Sequence, residues 1–192
     1  MASGLLPICF GQATKIAQFL LDGDKRYFVR GKLGLVTTTG DSEGELSEYG
    51  STKDVDVATI KSTLLNLIGN IKQIPPMYSA LKREGTPLYK LARKGIEVER
   101  EAREVSIHEI LFKDFDADIL TLEVSCSKGT YIRTLIEDIG IFLGCGGYVI
   151  ELRRIGFAHF DIAQGKTFEE LETLKADSLS NLDPILIGAD KM

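Results

Sequence analysis

The sequence predicts an α+β chain, and two observations carry the prediction: stretches of period two alternate with stretches of helical period, and one corner between them is sharply marked. Leu120, Leu122, Val124 and Cys126 alternate with Ile119, Thr121, Glu123 and Ser125, as in a strand with one apolar face. Past Ser127-Lys128-Gly129-Thr130, the residues Tyr131, Leu135, Ile139 and Leu143 recur at helical spacing. A strand-to-helix corner at Gly129 presents Tyr131 and Arg133 on rigid supports. Pattern alone leaves two readings open. In one, Arg133 pairs with Glu137 one turn on and Tyr131 packs in the core. In the other, a stacking ring stands beside a cation suited to a carboxylate or phosphate.

A chain of 192 residues buries enough surface for one domain, with or without a small appendage. Apolar residues at 44% and charged residues at 27% place it among ordinary globular proteins rather than disordered or fibrous ones. No apolar run has the length of a membrane helix, and the first ten residues lack the basic region of a signal peptide. A cytoplasmic protein with no membrane association is expected. Cys9, Cys126 and Cys145 are odd in number and lack metal-ligand spacing, which favours reduced thiols over a zinc site. No metal or cofactor is expected. A formal charge of −5 argues against coating nucleic acid by bulk charge, but leaves room for a local basic patch.

In chain order, residues 12 to 22 read as one helix with Ala13, Ile16, Phe19 and Leu20 on its apolar stripe and Gly23 as its stop. Residues 24 to 34 read as a strand with Tyr27, Val29, Gly31 and Leu33 on one face. The polar stretch 37 to 45 reads as a solvated turn; its carboxylates do not match a calcium loop. Asp56 is placed as the N-cap of a helix marked by Ile60, Leu64, Leu67 and Ile68 and closed by Gly69. Residues 70 to 82, with Pro75-Pro76 at their centre, read as an extended surface segment. Thr86-Pro87 then caps and opens a short helix through Arg93, stopped by Gly95.

From Lys72 to Glu104 there are eight Lys or Arg against five Glu. That is a basic island on an acidic chain, with Tyr78 and Tyr89 read as exposed and available for stacking. It fits an RNA-gripping arm or an ordinary solvated surface equally well. Residues 105 to 112 and 118 to 126 read as sheet partners. A glycine turn at 144 to 147 leads into a strand from Tyr148 to Phe160, where at most one of Arg153 and Arg154 enters a given pocket. Thr167 and Glu170 form a capping box ahead of Leu171 and Leu174, and Asp183-Pro184-Ile185-Leu186 begins a further connection.

Five segments, in shared order and spacing, resemble the TruB family of bacterial tRNA pseudouridine synthases. They are Gly4-Leu5-Leu6-Pro7-Ile8-Cys9-Phe10-Gly11-Gln12-Ala13-Thr14-Lys15, Asp24-Lys25-Arg26-Tyr27, Ile74-Pro75-Pro76-Met77-Tyr78-Ser79-Ala80-Leu81-Lys82, Ser127-Lys128-Gly129-Thr130-Tyr131-Ile132-Arg133 and Leu152-Arg153-Arg154. The resemblance covers nearly the whole chain. It implies a pseudouridine synthase fold, a mixed or largely antiparallel sheet flanked by helices. Residues 1–192 would form a partial catalytic domain with an RNA-binding thumb inserted at about 72–104. It also implies isomerisation of a T-loop uridine to pseudouridine, without metal or organic cofactor, after the base is flipped from the stack. The partner implied is the tRNA T-arm, with no protein partner required.

Residue by residue, the resemblance gives Tyr27 to stacking on the flipped uracil and Tyr131 to the sugar side of the pocket, for positioning or proton transfer. Arg133 would pair with the catalytic aspartate and keep it ionised, while Leu152 would close the apolar side. Lys82, Arg83, Lys90, Arg93 and Lys94 become candidate phosphate contacts. The family's motif Leu-Asp-Pro-Leu-Ala-Thr/Ser-Gly is met only from its end, at Met1-Ala2-Ser3-Gly4, so its essential aspartate falls ahead of Met1. Thr38 stands where the family commonly has an aspartate. The chain also ends ahead of the family's small C-terminal RNA-binding domain. Weak or absent isomerase activity of this polypeptide alone is expected, with a complementing N-terminal fragment as a partner; the alternative is a noncatalytic RNA-binding or RNA-folding module.

Overall fold

The computed structural model describes residues 2–177 and 186–188. Strand β1 (Ala2–Gly4) leads through a 3-10 turn at Gly11–Lys15 to helix α1 (Ala17–Leu21), β2 (Lys25–Leu33) and the hairpin strands β3 (Leu35–Thr37) and β4 (Leu46–Glu48). Helix α2 (Val57–Asn66) and β5 (Gly69–Gln73) follow, then the short hairpin β6 (Lys82–Arg83) and β7 (Thr86–Pro87) and helix α3 (Leu88–Ala92). The long strands β8 (Arg103–Asp116) and β9 (Ile119–Cys126), helix α4 (Ile132–Phe142), β10 (Gly147–Phe157), β11 (Phe160–Asp161) and α5 (Phe168–Asp177) complete the order.

The main sheet runs β1-β10-β2-β9-β8-β5, with β11 paired to β10. Among the described residues only β1 lies parallel to its neighbour in the sheet; the other ladders there are antiparallel. Alternation decides which face is covered. Val29 and Leu33 of β2 and Leu120, Leu122, Val124 and Cys126 of β9 are buried, and Leu135, Ile136 and Ile139 of α4 pack with them alongside Ile60 and Leu64 of α2. A smaller cluster of Leu20, Phe157 and Phe160 lies apart, with Leu5 and Cys9 packed against it. Among the described residues no helix is long and apolar enough to cross a membrane.

Several elements differ from the expectation, each for a local reason. Residues 12 to 22 are not one helix. Ile16 N–H bonds to Ala13 C=O and the Thr14 hydroxyl donates to Gly11 C=O, which tightens the first part into a 3-10 turn. Residues 70–73, the start of the stretch expected as surface extension, pair with β8 together with Gly69 as an edge strand that stops just ahead of the prolines. Thr86 caps nothing: it and Pro87 pair with Arg83 and Lys82, and α3 begins one residue after Pro87. The 37-to-45 turn sits inside the β3–β4 hairpin.

The strand expected from Tyr148 to Phe160 is broken at Ala158 and His159, where β10 turns back into β11. The capping expectations at Asp56 and at Thr167 with Glu170 hold: Thr59 N–H donates to Asp56 Oδ1 at 2.7 Å, and Thr167 and Glu170 exchange two bonds. The expected connection from Asp183 lies, for residues 183–185, outside the described residues.

Candidate active site

A cavity of about 540 Å³ opens where β1, β2, β10, the β3–β4 loop and the N-terminal end of α4 meet. Tyr27, Asp41, Tyr131, Arg133, Leu152 and Arg154 are among its lining residues. Tyr27 has the strand parity of Val29 but lies beyond the fully buried part of β2, so its ring borders the core and also faces the cavity. Burial pushes its phenol up, more than the Arg154 guanidinium opposite it on β10 pulls it down. Arg154 is held in place: its Nε donates to Leu5 C=O at 2.7 Å and its guanidinium lies 5.0 Å from the Phe157 ring. Arg153 is exposed and does not line the cavity, whereas its neighbours Leu152 and Arg154 do.

Gly129 turns the chain at a φ of 80°, a value that side-chain-bearing residues rarely adopt. Tyr131 is the N-cap of α4 with extended backbone, so the helix starts after it rather than through it. No side chain of its own caps that end. The carboxamide of Gln73 does so from β5: Oε1 accepts from Tyr131 N–H at 3.0 Å and Nε2 donates to Tyr131 C=O at 3.3 Å.

Arg133 does not pair with Glu137. Its Nη1 donates to Asp41 Oδ2 at 2.9 Å and to Thr39 C=O at 3.0 Å, and its Nη2 donates to Tyr78 C=O at 2.7 Å. Asp41 is therefore no solvated turn residue: its side chain is 16% exposed and that of Arg133 20%. Burial alone would raise the Asp41 carboxyl. The Thr39 hydroxyl, the Glu43 N–H and the Arg133 guanidinium outweigh it and hold the group below its ordinary value.

Glu137 takes the opposite course. Burial first, then the neighbouring Asp138, push it up to about 7, although Arg133 pulls the other way. Its carboxylate crowds the loop: a Cβ on Gly40 would stand 2.8 Å from Glu137 Oε1, and Gly40 has a φ of 72°. Thr38, the departure from the pattern of the resemblance, uses its hydroxyl to accept from Glu45 N–H at 3.1 Å. Among the described residues no cluster of three or more His, Cys, Asp or Glu has the arrangement of a metal site.

The arm residues lie apart from the cavity lining. Lys82, Arg83, Lys90, Arg93 and Lys94 are all exposed on the excursion between β5 and β8. Arg83 donates to Glu99 C=O, and Arg93 lies 5.5 Å from the Tyr89 ring. Tyr78 and Tyr89 are half-buried rather than exposed. The sequence reading passed over Asp41 as a turn carboxylate and missed Gln73 altogether. Asp41 sits in a stretch whose composition says turn, with only the Thr39-Gly40-Asp41 run to hint at a built loop. Gln73 carries no periodic signal at all.

The mixed sheet covered by helices is the pseudouridine synthase fold, by comparison with solved structures. The chain superposes on a crystal structure of a Cbf5-Nop10-Gar1 complex with a TM-score of 0.75 at 24% identity, covering 99% of this chain and 49% of that one. It superposes on an H/ACA RNP bound to a substrate RNA containing 2'-deoxyuridine with a TM-score of 0.70 at 20% identity, covering 99% and 48%. At such identities these neighbours speak for the fold alone.

The chain belongs to the TruB family: the family's pseudouridylate synthase N-terminal domain matches residues 1–132, and a tRNA pseudouridylate synthase B C-terminal domain matches residues 133–192. The division falls within the first turn of α4, so the two matches share one helix and one sheet. The chain is 55% identical to the tRNA pseudouridine synthase B of Pseudomonas fluorescens over 99% of its own length and 62% of the relative's. It is 50% identical to the enzyme of that name from Haemophilus influenzae, over 99% and 61%. The chain thus spans less than two thirds of the curated relatives it matches.

Proposed function

We propose that this chain is the base-binding portion of a pseudouridine synthase that acts on a uridine of the tRNA T-arm in the cytoplasm. The observation that supports this reading is convergence: Tyr27, Tyr131, Arg133 and Leu152, from separate elements, line one cavity. A uracil inside a folded T-loop is reachable only after it is flipped out. In this reading Tyr27 stacks on the flipped base, Leu152 closes the apolar side, and Tyr131 faces the sugar. Residues 72–104 act as the thumb, gripping the phosphate backbone through Lys82, Arg83, Lys90, Arg93 and Lys94. The reaction breaks the bond from C1' to N1, turns the base and joins C1' to C5; C5 gives up a proton and N1 takes one. No electrons enter or leave, so no redox cofactor is called for.

The glycosidic step needs a carboxylate in the pocket. Two carboxylates that line the cavity are already engaged, Asp41 with Arg133 and Glu151 with Arg30. We therefore expect binding and flipping with weak or no turnover. A noncatalytic RNA-binding module is the second reading, favoured by Arg133 already donating three hydrogen bonds, to Asp41, Thr39 and Tyr78.

The test is to incubate the polypeptide with unmodified T-arm RNA, alone and with the N-terminal segment of a full-length relative, and to quantify pseudouridine by mass spectrometry. Product only in the supplemented reaction supports the enzyme reading. Binding without product in either reaction supports the RNA-binding module, and no binding at all sinks both.

A further inference from the structure

We propose that Gln73 is a positioning residue that sets Tyr131 and ties the lead-in of the arm to the cavity as one mechanical unit. The residue is only 2% exposed, on an edge strand whose Asn70 and Lys72 are exposed. A buried carboxamide is costly unless its groups are paired. Both of its bonds go to one residue, Tyr131, and the partners define the orientation of the amide: Tyr131 N–H can only donate and Tyr131 C=O can only accept. Tyr131 needs such help, because it stands at the N-cap of α4 with extended backbone and no side-chain cap of its own.

Gln73 is also the last residue of β5. Directly after it come Ile74, Pro75 and Pro76, whose rings fix their own φ, and then Tyr78, whose C=O accepts from Arg133 at 2.7 Å. The stiff lead-in is therefore fastened at both ends to the same turn of α4, at Tyr131 by Gln73 and at Arg133 by Tyr78. Displacing the arm strains the backbone of the residue that faces the cavity, and fixing the arm fixes Tyr131. The consequence for RNA rests on the function proposed above; the link itself does not.

The test compares Gln73→Leu, close in size but without polar groups, and Gln73→Glu with the parent chain. Hydrogen exchange is read on the free protein and 2-aminopurine fluorescence on T-arm RNA labelled beside the target uridine. In Gln73→Leu, amide protection across 129–134 and at Leu88 and Tyr89, whose N–H groups bond to Leu81 and Ser79 C=O, should fall together by about tenfold or more, while β9 and β10 keep parental protection. Loss confined to 129–134, or loss everywhere in equal measure, overturns the link.

In Gln73→Glu the carboxylate still accepts from Tyr131 N–H but repels Tyr131 C=O, whereas the neutral acid offers both an acceptor and a donor. Burial at this position raises the new carboxyl; it outweighs Arg103, opposite on the β5–β8 ladder, and Arg133, whose charge is already met by Asp41. Protection relative to the parent should be lost at pH 8 and recovered at pH 5. The same deficit at both pH values counts against positioning by hydrogen bonds. With RNA, Gln73→Leu should keep its Kd within about threefold and lose most of the flipping signal; equal loss of both overturns the positioning role. A parent chain that fails to bind RNA sinks the proposed function and leaves the exchange result to decide the link.

Discussion

Replacing Arg133 by Met should destabilise the fold by about 2–3 kcal/mol. Breaking a buried ion pair by removing one partner costs roughly 3–5 kcal/mol, because the other charge stays buried. Here Arg133 and Asp41 retain 20% and 16% exposure, and Asp41 keeps the Thr39 hydroxyl and the Glu43 N–H as donors, which lowers the figure. For a chain of this size the corresponding fall in Tm is roughly 5–10 °C. The decisive experiment is a double-mutant cycle with Asp41→Asn, read by urea unfolding at pH 7. Asp41→Asn keeps the acceptor for Thr39 and Glu43 while removing the charge, so the double variant should recover about 1.5 kcal/mol relative to additivity. The folded-state pKa of Asp41 is depressed. Its contribution is therefore fully present above the ordinary carboxyl range and lost as pH falls through the depressed value. A coupling below about 0.5 kcal/mol at pH 7 would refute the argument that these two groups form the structural pair of the cavity.

Glu137→Gln should show the opposite pH sign. The folded pKa is raised to about 7, so the parent is stabilised below the ordinary carboxyl value and loses that contribution as pH rises through neutrality. Unfolding of the two proteins at pH 5 and pH 8 should differ by about 2 kcal/mol between the two conditions, with the Gln variant the less pH-sensitive. Gly40→Ala should cost about 1–3 kcal/mol, because the new Cβ meets Glu137 Oε1 at 2.8 Å and the φ of 72° disfavours it. Combining it with Glu137→Ala should relieve the steric share, measurable in the same unfolding assay. Replacing Lys82, Lys90 and Lys94 together by Ala should lower the salt slope of T-arm binding by about 2–3. Arg83→Ala should lower the slope by about 1 and also loosen the arm, since Arg83 is engaged with Glu99 C=O as well, and fluorescence titration across a salt series with hydrogen exchange on the free chain reads both effects.

Features carried by neighbouring residues were legible in the sequence. The alternation from Ile119 to Cys126 reports which β9 side chains are buried because each strand residue sees one face or the other. The caps at Asp56 and Thr167 are closed within three residues of themselves, and such loops are short enough to read directly. Where local signals competed, the reading failed. The pair Pro75-Pro76 argues against sheet, yet β5 ends at Gln73, and a proline two residues past an edge strand removes nothing from its ladder. In residues 12 to 22 the apolar spacing suits a helix, but Leu20 is the one buried member of the stripe whose burial is described. With little burial to hold it straight, the turn at Thr14 decides the local geometry.

The cavity was only partly legible, and Arg133 shows why. Sequence offers it Glu137 one turn on, a pairing worth about 0.2–0.5 kcal/mol on an exposed helix. The fold offers it Asp41 across 92 residues and the Tyr78 carbonyl across 55. Asp41 enters the cavity already bonded by Thr39 and Glu43, so its charge is solvated by the protein before Arg133 reaches it. Glu137 has no hydrogen bond or ion pair among the described residues, and burial drives it toward its neutral form. A guanidinium between a carboxylate that is stabilised as an anion and one that is not pairs with the first. The choice leaves Arg133 and Asp41 matched charge for charge at neutral pH. It also gives Glu137 a different task, to fill the space that Gly40 leaves and thereby hold the Asp41 loop against α4.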